Sequence, residues 1–219
     1  YYMFGDRHRQ KPDPDRRYDR IYIGGDYGQQ NATTFQAFGL DSYRQKFPGL
    51  SEYYHSGRET GKQKSPSEYA KDLVEFMNNL HELYENRVFY IFLDPSAKGL
   101  AEEVRRATRT GLDYQVILRD AENDVGLGIS RVQKALCFDI MSVSPKQENA
   151  VREFGTYEYD KKSIEKGKEV PVKESDHCMD AIRYVVMGVW KRLKHWLPRE
   201  VQDDKADILT KEVRDDEYL

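Results

Sequence analysis

The run RVFYIFLD, residues 87–94, constrains the fold more than any other part of the chain. Six consecutive apolar residues stand between Arg87 and Asp94, and Pro95 follows at once. The run is too short for a helix and rich in β-branched and aromatic side chains. It ends at a residue that cannot donate to a ladder. Those properties predict a strand buried on both faces. Covering both faces of a sheet takes helices on each side, so the chain should be a layered α/β protein.

The surrounding pattern agrees. RIYIGGDYG, residues 20–28, is a short apolar run ending in glycines, and TTFQAFGL, residues 33–40, is rich in β-formers. Together they predict antiparallel strands joined by a turn at 28–31, with a third strand at 50–55. Ser65-Pro66-Ser67-Glu68 opens a helix whose apolar face carries Tyr69, Leu73, Phe76, Met77 and Leu80. Helix 97–108, strand 114–118, helix 123–136, strand 137–143, helix 145–154 and a closing helix 176–195 follow. Residues 157–173 read as a charged, exposed hairpin. Three sequential strands followed by alternating units imply one α/β domain, with a mixed central sheet flanked by helices on both faces.

The domain is expected at 20–197. Residues 1–19, rich in proline and charge, read as a linker or arm, and 198–219 as an acidic tail. The first residue is not Met, so a piece of a longer protein is expected. From Glu200 onward there are eight acids and three bases, a net −5, which leaves +2 on the other 199 residues. A mildly basic body permits a polyanionic partner without requiring one. No run of about 18 apolar residues exists to cross a membrane, and the polar start excludes a secretory signal there. Cys137 and Cys178 form no disulfide framework, so a reducing cytosol is expected.

Four residues carry the candidate chemistry. Asp26 ends the first strand between glycines that would let a ligand approach the backbone; it also reads as a turn aspartate. Asp94 ends the buried strand. Followed by Pro95, it fits a helix N-cap, but the carboxyl edge of an α/β sheet is also where such proteins keep their sites. His177 and Asp180, three apart on the closing helix, share a face. Capping by Ser175 and Asp176 accounts for an acid in the first turn, not for Asp180. Acids drawn from separate elements are what a hard divalent ion requires, and an imidazole moves the preference from Mg²⁺ toward Mn²⁺. Zinc is disfavoured, because neither cysteine has a CxxC partner.

At these residues the chain resembles the nuclease domain of a tailed-bacteriophage terminase large subunit, a DNA-packaging motor. The segments that carry the resemblance are GGDYGQQNATTFQAFGL, VFYIFLDPSAKGLAEEVRR and YEYDKKSIEKGKEVPVKESDHCMDAIRY, in that order, with DHxxDAxRY the most distinctive. The resemblance implies a ribonuclease H-like fold and a metal-dependent DNA endonuclease that cuts concatemeric viral DNA with little sequence specificity. It implies metal ligands at Asp26, Asp94 and Asp180 with His177 as a further ligand or outer-shell proton handler, and two divalent cations, Mn²⁺ or Mg²⁺, with Asp26 bridging them. Double-stranded DNA is the implied partner. The full-length protein would add an N-terminal ATPase domain, the portal and the small terminase subunit, in the cytoplasm of the infected bacterial host. Residues 161–173, with five lysines and two glutamates, resemble a segment beside the family's active-site groove, where they would clamp DNA or act as a lid. No ATPase motif is present: GRETGKQ, residues 57–63, is one residue short of a phosphate-binding loop and lacks its Ser or Thr. Another ribonuclease H-like nuclease, such as a Holliday-junction resolvase or a ribonuclease H, and a decayed module that only binds DNA remain open on the residues alone.

Overall fold

The computed structural model describes residues 4–28, 31–156 and 176–202. Strands β1 (Arg20–Asp26), β2 (Ala32–Leu40) and β3 (Phe47–Ser56) come first, then a one-turn helix α1 (Gly57–Thr60) and the long α2 (Pro66–Tyr84). Strand β4 (Val88–Leu93), α3 (Lys98–Ala107), β5 (Gln115–Asp120), α4 (Val125–Cys137), β6 (Met141–Ser142) and α5 (Glu148–Thr156) follow, and α6 (His177–Leu193) comes after them. The six strands lie in the order β5-β4-β1-β2-β3-β6. β1 pairs antiparallel with β2 and β2 with β3, whereas β4 joins β1, and β5 joins β4, in parallel. This is the mixed sheet, covered by helices on both faces, that the order of strands and helices in the sequence predicts.

Two cores, one on each face, follow from the pleat. Ile21 and Ile23 of β1 and Phe89, Ile91 and Leu93 of β4 point to the face covered by α2 and α3. Tyr22, Phe92, Phe38 and Leu40 point to the other, covered by α4, α5 and α6. Alternate residues of a strand face opposite ways, so a strand buried on both sides must be apolar throughout, as β4 is. Helix α2 starts where its sequence says it should. The Ser65 hydroxyl accepts the Glu68 N–H and the Glu68 carboxylate accepts the Ser65 N–H, with Pro66 opening the helix. Its buried face includes all five residues predicted from spacing.

Three local expectations are corrected. The strand expected at 137–143 pairs with β3 only at Met141 and Ser142. Helix α4 runs through Cys137, and Asp139 turns the chain with φ 51°. Val143 pairs with Arg9 of the N-terminal segment instead. That segment, in its described part, is no linker. Phe4 stacks on Phe154 at 4.3 Å, His8 is buried against the Leu136 carbonyl, and Tyr18 is buried on the α2 side. Its anchors are single aromatic residues in a polar stretch, which leaves no periodicity to read. Finally, Asp94 does not cap α3, whose N-cap is Ala97.

Candidate metal and nuclease site

The register of β1 and β4 sets Gly25 beside Leu93. Asp26 and Asp94 are the next residues along, so they stand side by side at the carboxyl end of adjacent parallel strands, about 4.8 Å being the usual strand spacing. Asp26 has the parity of Tyr22 and Gly24, and Asp94 that of Phe92, so both belong to the face that α6 covers. Gly24 explains how α6 comes so close. A Cβ there would lie 1.9 Å from the Ala181 carbonyl oxygen and 2.6 Å from Val185 Cγ2. Gly24 therefore admits a helix, and Gly25 packs against the Leu93 and Phe35 side chains on the other face; the space the two glycines leave goes to protein and not, as the sequence suggested, to a ligand. Gly188, one turn on from Tyr184, does the same against the Phe92 ring, 2.3 Å from a Cβ placed there.

Helix α6 brings the other two residues. His177 Nδ1 lies 2.7 Å from Asp26 Oδ2, and Asp180 accepts a 2.6 Å hydrogen bond from the Arg183 guanidinium. Burial pushes the Asp26 carboxyl above the usual carboxylate range; the His177 hydrogen bond and charge offset this in part, and Asp180 and Asp176 push it further up. The same hydrogen bond raises the His177 imidazole against its own burial. Asp94 is held below its ordinary value. Burial would raise it, but the Ser96 and Tyr184 hydrogen bonds and the Arg183 charge outweigh that.

Several contributors lie outside the sequence expectations. Asp94 Oδ1 accepts the Ser96 N–H at 2.7 Å, while Oδ2 accepts the Tyr184 hydroxyl at 2.9 Å and the Asn123 amide at 3.1 Å. So the Asp-Pro step forms an Asx turn aimed at the site. Tyr184 lies on the last helix, outside the four candidate residues. Its position four after Asp180 and seven after His177, on one face, was the signal that could have found it. Burial, then the charges of Asp180, Asp26 and Asp94, drive its phenol far above the ordinary value, so it remains a donor. The local cap expected at Asp176 is also absent, since its side chain makes no capping bond. Glu153 of α5 takes that role, its Oε2 accepting the N–H groups of Cys178 and Met179 at 2.8 and 3.2 Å. Nothing in the sequence pairs Glu153 with a helix that begins 24 residues later.

Among the described residues, no three carboxylate, imidazole or thiol groups gather around one point closely enough to hold a metal ion. Asp26 is turned onto His177 and Asp180 onto Arg183. The donor set still has the right chemistry: the charges of Asp26, Asp94 and Asp180 are all felt at the Tyr184 hydroxyl, and hard oxygens from three elements suit Mg²⁺ or Mn²⁺. Residues 161–173 lie outside the described residues. Of the GRETGKQ stretch, Gly57–Thr60 form α1, which Gly61 caps with φ 67°.

No protein-family model matches the chain, and no curated protein matches it. Solved structures do. The large terminase of the thermophilic bacteriophage D6E, solved in complex with ADP, superposes with a TM-score of 0.72 at 34% identity, over 84% of this chain and 43% of that one. The chain thus spans less than half the length of that protein. The nuclease domain of the bacteriophage P22 large terminase superposes with a TM-score of 0.64 at 15% identity, over 84% of this chain and 88% of that one. That of bacteriophage SPP1, solved with bound Mn, does so with a TM-score of 0.50 at 22% identity, over 77% and 86%. The last two likenesses are likenesses of fold.

Proposed function

The chain belongs with the nuclease domains of the large terminases, and on that premise we propose that it is a metal-dependent endodeoxyribonuclease that cuts concatemeric viral DNA during genome packaging. The observation that carries the proposal is the side-by-side placement of Asp26 and Asp94 on the face covered by the helix that bears His177 and Asp180. The Mn bound in the SPP1 nuclease domain supports divalent-metal use here.

In this reading Asp26, Asp94 and Asp180 would hold the divalent cations, two Mn²⁺ or Mg²⁺ ions. Bound ions would supply an activated water and stabilise the charge that develops on the phosphodiester. The chain's own residues do the rest. Tyr184, Ser96 and Asn123 fix the Asp94 carboxylate by hydrogen bonds to both oxygens. Asp26 orients the His177 ring through Nδ1, which leaves Nε2 to hold or pass a proton at the reacting phosphate. Arg183 pairs with Asp180 and balances its charge. Contacts mainly to phosphate would make cleavage nearly independent of sequence. In the full-length protein the domain would act with an N-terminal ATPase domain, the portal and the small terminase subunit, in the cytoplasm of the infected host.

Plasmid cleavage tests the proposal. Mn²⁺ should support nicking and linearisation, Mg²⁺ should do so more weakly, and a chelator should abolish both. Full activity in chelator would refute the metal mechanism.

A further inference from the structure

Glu153 is 2% exposed and sits in α5, yet its one hydrogen-bonded oxygen works on α6. Oε2 accepts from the N–H groups of Cys178 and Met179, the second and third residues of that helix. These are the amides an N-cap side chain ordinarily satisfies, and Asp176, the N-cap residue, leaves them alone. His177 and Asp180 bracket the same two residues. The arrangement is repeated one step back. Glu52 of β3 accepts the N–H groups of Asn149 and Ala150 at the start of α5, at 2.8 and 3.2 Å. Two carboxylates in series, the partly buried Glu52 and the buried Glu153, thus tie the sheet to α5 and α5 to α6. Thr34, which pairs with Asp26 across β1 and β2, completes the circuit through a 3.7 Å contact between its hydroxyl and Cys178 Sγ.

We propose that Glu153 is a positioning residue for the nuclease site: by holding the Cys178 and Met179 amides, it aims the first turn of α6, and with it His177 and Asp180, at Asp26. The inference rests on the nuclease reading above. Burial pushes the Glu153 carboxyl up to about 7, and Oε1 has no hydrogen-bond partner among the described residues. A carboxyl protonated on Oε1 still accepts through Oε2, so the aiming does not depend on charge. What it needs is an oxygen at that place. A carboxamide supplies one; a thioether of the same length does not.

The test compares the parent with E153Q and E153M in Mn²⁺-supported plasmid cleavage, at a temperature where circular dichroism shows each to be folded. Amide hydrogen exchange at Cys178 and Met179 is measured alongside. E153Q should keep kcat within about threefold. E153M should lose about tenfold or more in kcat with KM for DNA unchanged, because the reacting groups, not the DNA surface, are displaced. Exchange at Cys178 and Met179 should quicken in E153M while that of β1 stays at the parental rate. If E153M does not fold, E153D replaces it, since its shorter side chain draws the oxygen away from both amides. Parental kcat in E153M, or a loss in E153Q as large as in E153M, would overturn the proposal. If the parent itself does not cut DNA, the nuclease reading fails, and exchange alone then judges the positioning: unchanged exchange at Cys178 and Met179 in E153M overturns it.

Discussion

Replacing Gly24 with alanine adds one methyl group at the closest contact between sheet and helix. The added Cβ would meet the Ala181 carbonyl oxygen at 1.9 Å, its carbonyl carbon at 2.8 Å and Val185 Cγ2 at 2.6 Å. Val185 can turn its side chain, but the Ala181 carbonyl is helix backbone and cannot. A tolerable carbon–oxygen contact of at least 3.0 Å therefore moves α6 outward by about 1 Å or β1 by the same amount. Such overpacking costs about 1–3 kcal/mol, which for a domain of this size lowers Tm by about 2–12 °C. Asp180 directly precedes Ala181, so the displacement falls on the site itself, where a misplacement of about 1 Å can cost about 100-fold in rate. Thermal melting by circular dichroism and Mn²⁺-dependent plasmid cleavage below the variant's Tm measure both effects. Gly5→Ala, whose Cβ meets nothing within 4 Å, is the control and should match the parent in both. A Gly24→Ala protein that melts with the parent and cuts at its rate would show that the close approach of α6 to β1 does not set the site.

Asp26→Ala and Asp180→Ala should each abolish cleavage; removing Asp26 relieves its repulsion with Asp180 and Asp176, whereas removing Asp180 takes a partner from the buried Arg183 and should also lower Tm. Cleavage at the parental rate by either variant would remove that residue from the site. Tyr184→Phe keeps the ring but deletes the hydrogen bond to Asp94. It should lower stability by about 1 kcal/mol and slow cleavage, and an unchanged rate would mean that Asp94 needs no such support. The Glu153 carboxyl, raised by burial from 4.5 to about 7, binds its proton more tightly folded than unfolded. Stability from this group is thus greatest at low pH and falls as pH rises from about 4.5 to 7, by at most about 3 kcal/mol. Since E153Q does not titrate, the Tm of the parent relative to E153Q should drop between pH 5 and pH 8, and a constant difference would contradict the assignment. Cleavage should fall steeply with added salt and give no discrete bands from a long substrate, as contacts to phosphate require; a few sharp bands would indicate sequence readout.

What was legible in the sequence was what local chemistry and alternation determine. Ser65 and Glu68 announced α2, and the unbroken apolar run of β4 required two covered faces. The parity of Asp26 with Tyr22 was visible in the letters. Gly24 was visible too, but its purpose was not, because a missing Cβ does not say what will approach it. Asp94 and Asp176 both offered local caps. In the fold, tertiary partners took over: Tyr184 and Asn123 at Asp94, and Glu153 at the start of α6. Such contacts join residues far apart in the chain and leave no spacing to read. The pairing of His177 with Asp26 belongs to the same class, and it was the resemblance, not the pattern of residues, that put those two in one site.

Anomalous scattering from crystals of the domain soaked in Mn²⁺ tests the central claim most directly. The account predicts two peaks about 3.5–4 Å apart, bounded by Asp26, Asp94 and Asp180, with Asp180 turned away from Arg183 to reach them. No peak at that sheet edge, or Mn²⁺ bound only elsewhere on the chain, would contradict it.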